Sequence, residues 1–130
     1  INILQKKLYC IRNSNLEMNR NLDDLKELIL KFREDRDWKQ FHKIKDLLIG
    51  LNIETAELQE LFLWKSEDEI VQIEKSKIEN EIADIFIFLI YLCDEFDIDL
   101  MESVSRKIKL NNDKYPIEKS KSSNKKYNEL

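Results

Sequence analysis

The sequence predicts an all-α fold, a four-helix bundle, from its scarcity of turn-forming residues and its helical spacing of apolar residues. Its 130 residues include one glycine, Gly50, and one proline, Pro116, whereas average usage is about 7% glycine and 5% proline. Sandwiches, barrels and doubly wound α/β folds need many turns bearing these residues, so they are close to excluded. Apolar residues make up 42% of the chain, enough for one domain with a core of its own.

Charge and composition also limit the classes of function. Charged residues are 37% of the chain, with 22 basic and 26 acidic side chains and a net charge of −4. An acidic, evenly mixed chain is a poor candidate for polymeric nucleic acid, and we expect a metal to mediate binding of any anionic ligand. Glycine-rich phosphate-binding loops are excluded, because their sequence motifs need more than one glycine.

The first two helices are predicted from apolar residues that recur at helical spacing. Helix one covers residues 22–35, with Asn21 as its N-cap and acidic residues in its first turn. Residues 38–45 are predicted to be a connector, and helix two covers 46–64. The predicted stripes are Leu22, Leu25, Ile29 and Phe32 on helix one, and Leu47, Leu51, Leu58 and Leu61 on helix two.

The third and fourth helices follow a charged linker at residues 65–69. Helix three begins at Ile70 or Ser76 and ends at Phe96. Residues 85–91 alone resemble a β-strand, but the helical stripe continues through them without a turn residue. The stripe is Ile78, Ile82, Ile85, Leu89, Leu92 and Phe96. Residues 85–93 are apolar around the whole circumference, which is typical of a central or inter-subunit helix. Helix four covers 99–113 with Asp99 as its cap, and Pro116 is predicted to end helical structure.

Three segments are predicted along the chain. Residues 1–17 form an N-terminal extension that either lies outside the functional domain or packs on it as a native arm. Residues 18–116 form the domain, and residues 117–130 form a mobile tail rich in lysine and serine. Cys10 and Cys93 have no metal or disulfide spacing, which favours a reduced, cytoplasmic protein. The longest apolar run, residues 85–93, is too short to span a membrane.

Four carboxylates occupy positions next to apolar helix faces. Glu54 interrupts the apolar stripe of helix two, and Glu57 lies one turn later. Glu81 and Asp84 form a second pair just before the apolar run of helix three. Packing of the two helices would gather all four, and all-oxygen ligands suit Mg²⁺ or Mn²⁺. The alternative, neutralisation by lysine or arginine, stays open. A di-iron bundle is excluded because it needs Glu-x-x-His pairs, and His42 is the one histidine.

Three motifs resemble one known family. They are the segment 36–42 with Trp38 and His42, the segment 54–64 with Glu54-x-x-Glu57 and Trp64, and Glu81-x-x-Asp84. The resemblance continues through residues 97–100 and 107–116 and into the tail, so it covers roughly residues 21–130. The family is the all-α nucleoside triphosphate pyrophosphohydrolases, the MazG-like superfamily, and the nearest branch is the dCTP pyrophosphatases.

The resemblance implies Mg²⁺-dependent hydrolysis of a nucleoside triphosphate, dCTP or a related deoxynucleotide, to the monophosphate and pyrophosphate. It also implies a homo-oligomer, at least a dimer and most often a tetramer. The four carboxylates match metal-binding and catalytic residues. The substrate-binding matches are Trp38 and Trp64 at the base, His42 without an assigned role, and Lys107, Asn111, Lys114 and Tyr115 at the phosphates. Ordinary packing for the tryptophans and a solvated last helical turn for the lysines are the alternative interpretations.

Several positions depart from the family pattern, mostly near the base pocket. Ile44 stands where the family commonly has proline, and Gly50 stands where it usually has alanine. Phe88 stands where tyrosine is frequent, and Ile29 stands where histidine can occur. The linker at residues 65–76 is also short. The base preference is therefore less secure than the reaction. A family member acting on dUTP or another non-standard nucleotide, and a non-catalytic helical interaction module, stay open as alternative functions.

Overall fold

The computed structural model describes residues 21–129, and this range is helical without a strand. The α-helices within this range are α1 (Leu22–Glu34), α2 (Ile44–Glu60), α3 (Glu67–Ile70), α4 (Lys75–Glu95), α5 (Leu100–Lys114) and α6 (Ile117–Ser120). Short 3₁₀ helices lie at Trp38–Gln40 and Tyr127–Glu129. The predicted all-α class is confirmed. The predicted extension 1–17 lies outside the described residues, and the three-segment division stays a prediction.

Both predicted helix caps are present. The Asn21 side chain accepts a hydrogen bond from the backbone N–H of Asp24 at 2.8 Å, and α1 begins at the next residue. Asp99 accepts from the backbone N–H of Glu102 at 2.8 Å and starts α5. Each side chain satisfies one of the N–H groups that the first helical turn leaves unpaired.

The second helix is displaced from its predicted range of 46–64. The connector tightens into a 3₁₀ turn after Asp37, whose φ of 53° is left-handed. The side-chain amide of Gln40 donates to the backbone and side-chain oxygens of Asp37 at 3.0 and 2.8 Å. Helix α2 can therefore begin at Ile44, and it ends at Glu60 because turns follow and Trp64 adopts a left-handed φ of 61°.

The predicted linker at residues 65–69 was wrong, because α3 begins within it. Ser66 and Glu69 form a capping box: the backbone N–H of Ser66 donates to the Glu69 carboxylate at 2.8 Å, and the Glu69 N–H donates to the Ser66 hydroxyl at 3.4 Å. The Ser-x-x-Glu spacing was the signal for this helix.

The prediction that helical structure ends at Pro116 was also wrong. Pro116 closes the segment after α5, but it is also the N-cap of α6, a position where its fixed φ is tolerated. The Ser120 hydroxyl donates to the carbonyl oxygens of Pro116 and Tyr115 at 2.6 and 3.1 Å. Tyr127 packs edge-to-face on Tyr115, with ring centroids 6.1 Å apart.

Packing divides the chain into two units, one ending at Leu92 and one beginning at Cys93. The described core of the first unit is small: the buried side chains are Ile29, Arg33, Leu47, Ile90 and Tyr91. Cys93 is buried in the second unit. No helix among residues 21–129 combines the length and the apolar content that crossing a membrane requires.

The predicted stripe of helix three is only partly buried. Ile82 and Leu89 are 53% and 39% exposed, whereas Ile90 and Tyr91 point into the core. Because residues 85–93 are apolar on every side, the spacing alone did not fix which side faces inward. Phe32 of helix one is likewise 45% exposed rather than buried.

Candidate active site

Helices α2 and α4 bring three of the four predicted carboxylates together. One ligand oxygen each from Glu54, Glu57 and Glu81 lies within 4.8 Å of the others. Glu54 and Glu57 are one turn apart on α2, and Glu81 is on α4. Asp84, one turn after Glu81, lies outside this group of three, and its side chain is exposed.

Asp84 nevertheless belongs to the same electrostatic site. The pKa of Glu54 is raised above its usual 4.5, first by burial and then by the negative charge of Asp84. The charges of Glu57 and Glu81 raise the pKa of Glu54 further. The negative charges of the other three predicted carboxylates therefore all act on Glu54 and disfavour its ionised form.

No basic side chain neutralises this cluster in the part of the chain that the structure describes. Ion pairs within residues 21–129 include Lys31 with Asp35, Lys45 with Asp46, Lys75 with Glu79, and Arg106 with Glu102, and none of these pairs involves the four carboxylates. The Oε2 atom of Glu81 is buried and has no hydrogen-bond partner. An ionised oxygen that is buried without a partner is costly. Neutralisation by lysine or arginine is thus unsupported, and the four carboxylates fit a divalent cation.

An open groove runs alongside the carboxylates. It has a volume of about 540 Å³ and is lined by Ile53, Ala56, Glu57, Glu60, Leu61 and Glu81. A second groove of about 610 Å³ shares Glu60 and Leu61 and extends to Lys65 and Lys77. Glu57 and Glu81 thus face accessible space rather than a closed core, and a ligand can approach them from solvent.

Trp38 and His42, which the family resemblance implies as substrate-binding residues, lie close together. Their ring centroids are 6.5 Å apart, and the His42 ring lies 4.9 Å from the ring of Tyr91. Trp38 also packs edge-to-face on Phe32 at 5.8 Å. Trp38 is 43% exposed, so one side of this aromatic group is open to solvent.

Sequence reasoning missed the buried support beneath these rings. The Arg33 guanidinium is fully buried and lies 5.1 Å from the centroid of the Tyr91 ring. Burial raises the pKa of the Tyr91 hydroxyl, although the charge of Arg33 opposes this. Arg33 lies four residues after Ile29 on the buried face of α1, and this spacing was the signal that could have identified it.

Trp64 differs from the other aromatic candidates. Its side chain is 92% exposed, its backbone is left-handed, and it has no ring partner among residues 21–129. A left-handed conformation is strained for a bulky residue and is often found at functional positions. The structure therefore does not join Trp64 to Trp38 and His42, and its ring is open to solvent.

The four predicted phosphate-facing residues lie in the second unit. Lys107, Asn111 and Lys114 are exposed on α5, and Tyr115 follows it. The Lys114 ammonium lies 5.1 Å from the centroid of the Tyr127 ring. The tail beyond Pro116 therefore contacts two of these candidates, Lys114 and Tyr115, through a single tyrosine.

Comparison with known proteins assigns the chain to a family. Residues 49–130 match the MazG-like family. The chain belongs to the MazG-like family. The dCTP pyrophosphatase 1 proteins of Homo sapiens and Mus musculus are each 36% identical to it over 114 residues, which is 84% of this chain and 67% of each relative. A pyrophosphatase from Archaeoglobus fulgidus, solved by crystallography, is 38% identical, with a TM-score of 0.68 over 77% of this chain and 96% of the other.

These relationships confirm three predictions from the sequence: the MazG-like superfamily, the all-α fold and the class of enzyme, a nucleotide pyrophosphohydrolase. The carboxylates Glu54 and Glu57, and also Trp64, lie inside the matched range 49–130, as do Glu81 and Asp84. Trp38 and His42 precede that range. The MazG-like match thus includes the carboxylate cluster but not the aromatic pair.

The raised pKa of Glu54 predicts a pH-dependent stability. A carboxyl group whose pKa is higher in the folded than in the unfolded chain favours folding when protonated, and this contribution is lost as pH rises through the folded pKa. In metal-free buffer, Glu54→Gln should therefore raise the free energy of unfolding at pH 7, and the gain should disappear below about pH 4.5. Urea unfolding followed by circular dichroism between pH 4 and pH 8 measures this.

The matched control is Glu79→Gln, which removes one negative charge from an exposed position of α4. It should change the free energy of unfolding little at any of these pH values, because exposed ion pairs contribute little. A Glu54→Gln variant that is less stable than the parent at pH 7 would contradict the electrostatic account of the cluster.

Proposed function

We propose that this protein hydrolyses a nucleoside triphosphate, dCTP or a related or modified deoxynucleotide, to the monophosphate and pyrophosphate with Mg²⁺ as cofactor. The observation that carries the proposal is the convergence of Glu54, Glu57 and Glu81, with a buried and unpartnered oxygen on Glu81. The relatives named dCTP pyrophosphatase 1 support the choice of substrate. Such a reaction removes unwanted triphosphates from the nucleotide pool.

The four carboxylates would hold the metal. A triphosphate and a cluster of carboxylates repel each other, so a cation is needed between them. Oxygen ligands without histidine or cysteine suit Mg²⁺, and Mn²⁺ is the alternative with the same ligand preference. A divalent cation held there would supply Lewis-acid polarisation of a phosphate and would make an attacking water more acidic.

The proton chemistry falls to the carboxylates themselves. A water attacks the α-phosphorus, the bond from that phosphorus to the bridging oxygen breaks, and pyrophosphate leaves. The water would lose its proton to a carboxylate of the cluster that is not fully engaged by the metal. No covalent intermediate is needed.

The remaining candidates would position the substrate. Trp38 and His42, which already contact one another, would hold the base by stacking, and Trp64 supplies a further exposed ring. Lys107, Asn111, Lys114 and Tyr115 would contact the phosphates. A nucleoside triphosphate would then be held at its base by aromatic side chains and at its phosphates by the metal.

The reaction is tested by pyrophosphate release from a panel of triphosphates with and without Mg²⁺. Glu57→Gln should lower kcat by about 100-fold or more, because it removes a charged oxygen from the centre of the cluster. Glu79→Gln, with the same charge change on an exposed part of α4, should keep full activity. Preference for dUTP would favour the alternative substrate. The absence of metal-dependent release from every triphosphate would favour a non-catalytic interaction module.

We also propose that the protein is a homo-oligomer, a tetramer formed as a dimer of dimers. Several large apolar side chains remain exposed in the first unit. On α2 these include Ile49 and Ile53, each 51% exposed, and on α4 they include Ile82 and Leu89. Burial of such side chains between copies is favourable and is typical of obligate interfaces. The exposed Trp64 could then reach a neighbouring subunit's site.

Light scattering at micromolar concentration should give a mass near four times 15.7 kDa. Leu89→Glu should lower that mass, since it places a charge on the exposed apolar face of α4. The matched control, Glu79→Lys, alters charge at an exposed polar position of the same helix and should leave the mass unchanged. A homogeneous, active monomer of the parent protein would overturn the proposal.

A further inference from the structure

The chain's one glycine makes room for a neighbouring ring, and it does not serve to allow an unusual backbone conformation. Gly50 lies inside α2, where its φ is not positive and where glycine is less stable than alanine. A Cβ atom added to Gly50 would overlap Cε1 of Phe88 and would lie only 2.6 Å from its Cζ and 3.1 Å from its Cδ1. The missing side chain is therefore what allows the Phe88 ring to rest directly on the backbone of α2.

This contact forms the layer next to the carboxylates. Gly50 lies four residues before Glu54 on α2, and Phe88 lies four residues after Asp84 on α4. Residues four apart share a helix face, so Gly50 continues the face that carries Glu54, and Phe88 continues the face that carries Asp84. The Gly50–Phe88 contact therefore joins the two helices immediately beside the proposed metal site.

Phe88 also begins a series of ring contacts that leads to Trp38. The rings of Phe88 and Tyr91 pack edge-to-face at 6.2 Å, Tyr91 contacts His42 at 4.9 Å, and His42 lies 6.5 Å from Trp38. Tyr91 is only 4% exposed. Because closely packed groups transmit displacements, a shift of the Phe88 ring has to be taken up by Tyr91 and passed to His42.

We propose that Gly50 determines base specificity by seating Phe88, which sets the positions of His42 and Trp38 through Tyr91. This inference rests on the proposed function, in which His42 and Trp38 hold the base. Gly50 is a positioning residue, because it acts through Phe88 and not on the nucleotide. The absence of a side chain at residue 50 and the ring at residue 88 operate as one unit, so a change at either position should alter which base is preferred.

The decisive experiment measures the ratio of kcat/KM for dCTP to kcat/KM for dUTP. Gly50→Ala should change this ratio by roughly tenfold, the scale of discrimination that one displaced apolar group provides. The change should lie mainly in KM, because the carboxylates keep their side chains. Asn52→Ala also introduces alanine into α2, at an exposed position away from Phe88, and should leave the ratio unchanged.

A double-mutant test shows whether Gly50→Ala acts through Phe88 or through a general disturbance of α2. Leucine ends at its δ carbons, so Phe88→Leu removes the two ring atoms that an added Cβ would approach most closely. Phe88→Leu alone should shift the ratio, and adding Gly50→Ala to it should have little further effect, which is the non-additivity expected of two residues in contact. Equal effects of Gly50→Ala in both backgrounds, or no effect in the parent, would overturn the proposal.

Two further readouts keep the test decisive. If Gly50→Ala fails to fold, Phe88→Leu decides alone, and an unchanged ratio in a folded Phe88→Leu protein overturns the proposal. Binding of dCMP and dUMP without metal, followed by tryptophan fluorescence, reports base selection independently of hydrolysis. Absence of pyrophosphate release together with coupled changes in monophosphate affinity would reject the proposed reaction and retain the inference. If Gly50→Ala and Phe88→Leu have independent effects on the monophosphate affinities, the inference is rejected.

Discussion

Mutual repulsion among carboxylates on α2 and α4 is the constraint on which the site depends. Three carboxylates converge within 4.8 Å, and a fourth, Asp84, adds its charge to theirs. The folded chain offers no ion pair to these groups within residues 21–129, and one oxygen of Glu81 is buried without a partner. Such an arrangement is unfavourable to folding by itself, so packing elsewhere must hold it in place.

The packing that holds it lies on the same two helices. One turn from the carboxylates, Phe88 rests on Gly50 and closes the space between α2 and α4. Beyond that layer, Tyr91 is buried against Arg33 and His42, and Trp38 completes the group at the surface. Helices α2 and α4 thus carry the charged group, and Tyr91 of α4 joins α4 to the aromatic group of the connector. In our proposal the two groups correspond to the phosphates and the base of one nucleotide.

The sequence predicted the helices and the four carboxylates because both leave local signals. Glu54 stands where an apolar residue should be, and Asn21 and Asp99 stand where caps should be. Helix boundaries were less predictable: α2 begins at Ile44 because a 3₁₀ turn and the left-handed Asp37 precede it. The partners of Arg33, Tyr91 and Phe88 depend on tertiary packing, which spacing along one helix does not encode. Likewise, residues 85–93 are apolar on all sides, so their inward face was ambiguous.

Direct measurement of divalent-cation binding tests the central claim, that the carboxylates of α2 and α4 form a metal site. Mn²⁺ titration of the metal-free protein, followed by electron paramagnetic resonance without nucleotide, reports binding independently of catalysis. The account predicts saturable binding by the parent protein that Mg²⁺ displaces. It also predicts that Glu81→Gln loses this binding and that Glu79→Gln retains it, because Glu81 belongs to the cluster and Glu79 does not. Equal Mn²⁺ affinity in the parent and in Glu81→Gln would contradict it.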